Sequence, residues 1–117
     1  MNKVILQGRL TKDAEVKQTK TKKKVAKITL AVDRKAKKGD EKTADFFDVY
    51  LWEKMADVVE KYTKKGQKVL IEGYMQNDSY DDKDGKKVYR NIITATDFYF
   101  CEFNKELASD SDVDKPF

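Results

Sequence analysis

Residues 44–64 read ADFFDVYLWEKMADVVEKYTK, and the hydrophobic period changes inside this stretch. In residues 44–52 the side chains alternate between an apolar and a mixed face, which predicts a β-strand. In residues 53–64 apolar residues recur at helical spacing, and Gly66 after a basic turn predicts the end of a helix. The helical stripe consists of Met55, Val58, Val59 and Tyr62. The stretch therefore predicts a strand that runs directly into an amphipathic helix.

Four further segments have the two-residue period of strands. They are Lys3–Leu10, Val25–Val32, Gln67–Tyr80 and Lys86–Phe103. Gly8 predicts a break in the first, and Asp84-Gly85 predicts a tight turn between the last two. Five strands with one helix between the third and the fourth have the element order of an OB-fold, a small and partly open Greek-key barrel. Other five-stranded barrels share this pattern.

The end of the chain differs in composition from the rest. Residues 104–117 have no hydrophobic period and carry two basic and four acidic side chains, which predicts a disordered acidic tail. Residues 1–103 carry 23 basic and 17 acidic side chains and form the predicted single domain. A basic domain favours a polyanion as its partner, with a different role for the tail.

Several classes of protein are excluded by composition. The chain has no histidine, a single cysteine and no glycine-rich phosphate loop, so we expect neither an enzyme nor a bound cofactor or metal. The acidic cluster at residues 81–85 is not a calcium loop. If Gly85 is the turn glycine of such a loop, Tyr80 and Asn91 fall where carboxylates are required. The cluster is therefore interpreted as a solvated hairpin tip.

No apolar run is long enough to cross a membrane, and the N-terminus lacks the features of a signal peptide. The lone Cys101 cannot form an internal disulfide, which is typical of a reducing compartment. We expect a cytoplasmic protein without membrane contact.

Aromatic residues carry the positive indication of function. In the third predicted strand, one face is apolar and consists of Phe47, Val49 and Leu51. The opposite face combines Asp48 with aromatic rings. The mixed faces of the third and fourth strands carry Phe46, Tyr50, Trp52, Tyr74 and Tyr80. Exposed rings among lysines usually serve recognition, and nucleic-acid bases stack on such rings. The alternative is that the rings pack in a sheet or in a subunit interface.

At these residues the chain resembles the bacterial and phage single-stranded DNA-binding protein family, from Met1 to about Cys101. The matching pieces are Asn2–Leu6, Gly8–Asp13, Val25-Ala26, Thr29–Val32, Ala44–Phe46, Leu51–Lys54, Tyr62–Gly66, Glu72-Gly73, Ser79-Tyr80, Gly85 and Val88-Tyr89. The resemblance implies an OB-fold, a homotetramer, and binding of single-stranded DNA without sequence preference. It also implies a protein associated with the nucleoid or, if it is encoded by a phage, present in the host cytoplasm.

The resemblance places base stacking at Phe46, Trp52 and Tyr80. A fourth stacking position of some relatives falls on Ala36, and a position that is often arginine in relatives is Asp78 here. We expect other cations to compensate for the missing arginine in phosphate binding, namely Lys35, Lys37, Lys38 and Lys87. The complete predicted nucleic-acid site is Phe46, Tyr50, Trp52, Tyr74, Tyr80, Arg9, Lys35, Lys54 and Lys87.

The tail also resembles the family's C-terminus, which docks enzymes of replication, recombination and repair. The matching residues are Asp110, Asp112, Asp114, Pro116 and Phe117. Lys115 replaces the apolar residue that relatives have before the proline, and the linker is short, as in phage, plasmid or secondary members. The alternative interpretation is a disordered tail with an aromatic end.

Three rival functions fit parts of the sequence. A primosomal or RNA-binding module of the same fold would share the basic aromatic face. A structural subunit would use the rings only for assembly. A nuclease would need Asp81, Asp82 and Asp84, which lie on a turn without supporting ligands.

Overall fold

The computed structural model describes residues 1–35, 39, 41 and 43–101. In chain order the elements are β1 (Val4–Leu10), β2 (Glu15–Gln18), β3 (Lys24–Asp33), β4 (Ala44–Trp52), α1 (Lys54–Tyr62), β5 (Lys68–Asp81) and β6 (Lys87–Phe100). The five predicted strands are β1, β3, β4, β5 and β6. The helix lies between β4 and β5, which are the third and fourth of the predicted strands, so the predicted element order is confirmed.

Five of the strands close into a barrel. The sheet order is β1-β5-β6-β4-β3-β2, and a further pairing of β1 with β3 joins the two sides. Among the described residues, β4 and β6 pair in parallel and the other strand pairings are antiparallel. β2 pairs with β3 beyond the end of β1 and therefore lies outside the closed ring. It was missed in the sequence because Val16 is its one apolar residue, too few to show an alternation.

The inward side chains of the strands and two residues of α1 form the core. Val49 and Leu51 of β4 are fully buried, and Ala56 and Val59 of α1 pack on the same cluster. The other buried members are Leu10, Ala26, Ile28, Leu30, Val69, Ile71, Ile93 and Ala95. Within the part of the chain that the structure describes, no helix is long and apolar enough to cross a membrane.

The predicted break at Gly8 was wrong. β1 continues through this residue, and Gly8 is buried and pairs with Val69. A Cβ at this position would lie 2.5 Å from the Ala31 carbonyl oxygen. The glycine therefore lets β1 approach β3 closely where the barrel closes, rather than ending a strand.

β6 contains a register shift that changes which residues face the core. Glu72 pairs with Asp97 but Gly73 pairs with Ala95, so Thr96 is an extra residue in β6. Ile93 and Ala95 are buried before this bulge, whereas Phe98 and Phe100 are the inward-leaning residues after it. An inserted residue reverses the alternation of all the residues that follow it.

Candidate nucleic-acid interface

The outer surface of β4 carries three of the predicted aromatic residues. Phe46 is 66% exposed and Trp52 is 37% exposed, whereas Tyr50 between them is half-buried. The rings alternate with the buried residues of the strand, as the period of a β-strand requires. Phe46 and Trp52 lie about 20 Å apart along the strand, at about 3.3 Å per residue. They therefore provide two separate surfaces for stacking.

The strand register extends this surface across the sheet. Tyr50 pairs with Thr94 of β6, and Thr94 pairs in turn with Tyr74 of β5. On its other side, Tyr50 pairs with Lys27 of β3, which pairs with Glu15 of β2. Paired residues point to the same side of a sheet, so one row of side chains crosses five strands. We call the side of the sheet defined by this row the outer face.

β5 and β6 continue the outer face as a two-stranded arm. Tyr80 is 48% exposed there, and Asp78 pairs directly with Arg90 across the arm. Arg90 Nε donates a hydrogen bond of 3.0 Å to Asp78 Oδ2, and this bond raises the pKa of the guanidinium. The guanidinium carbon of Arg90 lies 5.2 Å from the centre of the Tyr80 ring, within the range of a cation–π contact.

A groove on the outer face is lined in part by Tyr50. Its lining consists of Glu15, Lys17, Val25, Lys27, Tyr50 and Arg90. The hydrogen bond from Lys12 lowers the pKa of Glu15. Asp48, on the same face, accepts a 2.9 Å hydrogen bond from Thr29 Oγ1 and lies 3.9 Å from Lys27 Nζ. The groove thus gathers three cationic side chains around one aromatic ring, and it has the composition of a site for a base and its phosphates.

The structure places the predicted cations unevenly. Arg9 pairs with Ala31, which pairs with Phe46, so Arg9 lies in the same row as that ring. Its Nη1 donates a 2.9 Å hydrogen bond to the Gly66 carbonyl. Lys54 lies at the start of α1 and lines a different groove, between the helix and the end of β6.

Lys87 lies on the opposite side of the arm from Tyr80. It pairs with Asp81, and its Nζ is 5.8 Å from the centre of the Tyr89 ring. Tyr89 is 72% exposed, on the side of the arm away from Arg90. The structure therefore does not bring Lys87 to the outer face.

The loop between β3 and β4 is described at residues 34, 35, 39, 41 and 43. Arg34 donates hydrogen bonds from Nε and Nη2 to Asp45, next to Phe46, and this hydrogen bonding lowers the pKa of Asp45. Lys35 follows as an exposed residue. Ala36, Lys37 and Lys38, which figured in the sequence prediction, lie outside the described residues.

Three residues of the outer face were missed in the sequence: Lys17, Lys27 and Arg90. Lys27 alternates with buried residues in a predicted strand, so its outward position could have been found. Lys17 belongs to the strand that the sequence did not reveal. Arg90 reaches the groove only because of the pairing between β5, β6 and β4, for which a single sequence gives no signal.

The acidic residues of the hairpin tip serve the turn. Asp82 Oδ1 accepts hydrogen bonds from the backbone N–H groups of Asp84 and Lys86, and Gly85 has a positive φ of 79°. Among the described residues, no group of three or more potential ligands is placed to hold a metal ion. The tip is thus built as a turn, as interpreted from the sequence.

Comparison with known proteins identifies the family to which this chain belongs. The model of the single-strand binding protein family matches residues 1–101. Single-stranded DNA-binding protein 3 of Clostridium acetobutylicum is 44% identical over 115 residues, which cover 94% of this chain and 80% of the relative. Single-stranded DNA-binding protein 1 of Streptococcus pyogenes serotype M18 is 37% identical over 114 residues, covering 97% and 88%.

The fold is shared with a solved structure, the Plasmodium falciparum SSB in complex with ssDNA. The two superpose with a TM-score of 0.76 at 21% identity, over 87% of this chain and 96% of the other. The predicted OB-fold is thereby confirmed. The chain belongs to the single-strand binding protein family, whose members are non-enzymatic DNA-binding proteins.

Proposed function

We propose that this protein binds single-stranded DNA without sequence preference through its outer face. The observation that carries the proposal is that Phe46, Trp52 and Tyr80 are all exposed on this one face. Each base has a flat π-face, and stacking on an aromatic ring is worth about 1–3 kcal/mol whatever the base. Because the three rings lie apart from one another on this face, they would stack bases at different positions along one DNA strand.

Phosphate contacts supply the second part of the binding energy. Lys17, Lys27 and Arg90 flank Tyr50 in the groove, and Arg9 lies in the row of Phe46. These side chains can neutralise phosphates without reading any base edge, which agrees with binding that does not depend on sequence. Stacking fixes the bases and the cations follow the backbone.

A titration with oligo(dT) tests this proposal. Trp52 is the only tryptophan of the chain, so a base that stacks on it should quench the protein's fluorescence. Log K should fall as log salt rises, by about 0.7 for each phosphate contact. A parallel titration with oligo(rU) separates DNA from RNA binding. Unchanged emission at saturating DNA would remove Trp52 from the site, and affinity that is independent of salt would exclude the cationic groove.

We also propose that residues 110–117 recruit proteins of DNA replication, recombination and repair. Asp110, Asp112, Asp114, Pro116 and Phe117 lie outside the described residues, so the proposal rests on their composition and on the resemblance to the family's C-terminus. Acidic side chains repel the phosphate backbone, which separates the tail from the DNA site. Basic residues of a partner would pair with the aspartates and a pocket would accept Phe117.

Assembly into a homotetramer in the cytoplasm completes the proposal. Ile5 and Tyr99 are exposed on the outside of the barrel at β1 and β6. Large apolar side chains exposed in this way are suited to contact a second copy of the chain. Sedimentation equilibrium measures the subunit number directly, and a stable monomer at working concentration would exclude the tetramer.

A further inference from the structure

Arg90 connects the two parts of the outer face. Its guanidinium lies over the Tyr80 ring on the arm, and the same side chain lines the groove around Tyr50. Lys17 and Lys27 line that groove from the opposite side. A strand of DNA that passes from the Tyr80 ring to the Tyr50 ring must therefore pass Arg90.

The partner of Arg90 is unusual for a surface that binds a polyanion. Asp78 Oδ2 is 3.0 Å from Arg90 Nε and 2.9 Å from Arg90 Nη2. A carboxylate and a phosphate present similar oxygen atoms to a guanidinium. Asp78 therefore occupies the position in which a phosphate oxygen would bind Arg90, and its charge repels a phosphate that approaches.

We propose that Arg90 binds a DNA phosphate and that Asp78 is an internal competitor, which holds the guanidinium until the phosphate displaces it. This inference rests on the proposed binding of single-stranded DNA by the outer face. It assigns phosphate binding to Arg90, which the sequence analysis did not predict as a site residue, and regulation of that binding to Asp78. Asp78 thus weakens binding, although it lies within the site.

The exchange of partners is physically accessible. Both side chains are more than one-third exposed, at 41% for Arg90 and 37% for Asp78, so water screens their ion pair and the pair is easily broken. The contact with Tyr80 does not involve Asp78, so it can keep the guanidinium over the ring while the anion changes. A base can then stack on the face of Tyr80 that Arg90 does not cover.

Fluorescence anisotropy of labelled oligo(dT) at several salt concentrations tests the proposal. Arg90→Gln should weaken binding about threefold to tenfold and reduce the salt slope by about 0.7, the value for one phosphate contact. Asp78→Asn should tighten binding by a similar factor, because the guanidinium is then free for the phosphate. In the double variant the gain from Asp78→Asn should disappear, since there is no guanidinium to release.

Two controls separate this mechanism from a general effect of charge. Asp81→Asn removes the same charge on the same arm but from the other side of the sheet, and it should change affinity less than Asp78→Asn. Arg90→Lys keeps the cation and should retain most of the salt slope. Thermal unfolding of each variant verifies that the arm is intact, and affinity is compared per folded protein.

The outcomes distinguish this inference from the proposed function. If the unchanged protein does not bind oligo(dT), both are wrong. If it binds and Arg90→Gln binds equally well with the same salt slope, only the role of Arg90 is wrong. If Asp78→Asn tightens binding equally in the Arg90→Gln background, Asp78 acts by simple repulsion and the competitor mechanism is overturned.

Discussion

Replacing Glu53 by glycine should stabilise the protein. Glu53 joins β4 to α1, directly after Trp52, and has φ 56° and ψ −118°. This is the backbone conformation of the first central residue in a type II′ turn, which glycine adopts freely and other residues adopt at a cost. The Glu53 side chain makes no capping hydrogen bond that could compensate. The backbone is held there because it must turn from a core strand into a packed helix.

The expected magnitude follows from opposing contributions. Relief of strain at such a residue is worth about 1–3 kcal/mol. Glycine increases the entropy of the unfolded chain by about 0.4–1 kcal/mol, and removal of an acidic charge at a helix start costs about 0.3–1 kcal/mol. With each contribution at the middle of its range, the net gain for Glu53→Gly is about 0.7 kcal/mol. In a domain of this size that raises Tm by about 3–5 °C.

Glu53→Ala provides the matched comparison, because it removes the same charge and keeps the strain. We expect the glycine variant to be more stable than the alanine variant by about 0.5–2 kcal/mol. At Lys61, exposed in the last turn of α1, the order should be reversed, with alanine more stable by up to about 1 kcal/mol. Urea unfolding at one fixed protein concentration measures all four variants. The strain argument would be refuted if the Glu53→Ala variant had a free energy of unfolding equal to or greater than that of the Glu53→Gly variant.

Three further predictions concern the exposed rings, Gly73 and the C-terminal residues. Replacing Phe46, Trp52 or Tyr80 by alanine should each cost about 1–3 kcal/mol of affinity for oligo(dT). Tyr89 is exposed on the other side of the arm, so the Tyr89→Ala variant should bind like the unchanged protein. Equal losses of affinity at all four positions would contradict the assignment of one face. Gly73→Ala should destabilise the protein by about 1–3 kcal/mol or more, because its Cβ would lie 2.1 Å from the Thr94 carbonyl oxygen; an unchanged urea midpoint would show that β5 and β6 can separate there. Deletion of residues 110–117 should leave affinity for single-stranded DNA equal or slightly higher while abolishing pull-down of replication and repair proteins, and a truncated protein that loses DNA binding would place the tail in the DNA site.

Local patterns in the sequence were sufficient to predict most of the strands, the helix and the turn at Gly85. The bounds of β4 agree with the predicted residues 44–52, because alternation along one strand depends only on that strand. The helix was predicted for the same reason, although its observed bounds are narrower. The turn at Gly85 and the exposure of Phe46, Trp52 and Tyr80 are also properties of single segments. The family resemblance added the role of those rings in stacking.

Pairing between distant strands decided the rest. Whether Gly8 breaks β1 depends on how closely β3 approaches it, and the side on which Phe98 lies depends on the extra residue Thr96 opposite Gly73. In the same way, the register puts Arg90 beside Asp78 and Tyr80 and leaves Lys87 on the other side of the arm. Period and composition determined which segments are strands, except for the short β2, and that aromatic rings face outward. The tertiary structure determined which cations share a face with those rings, because that depends on contacts between residues far apart in the chain.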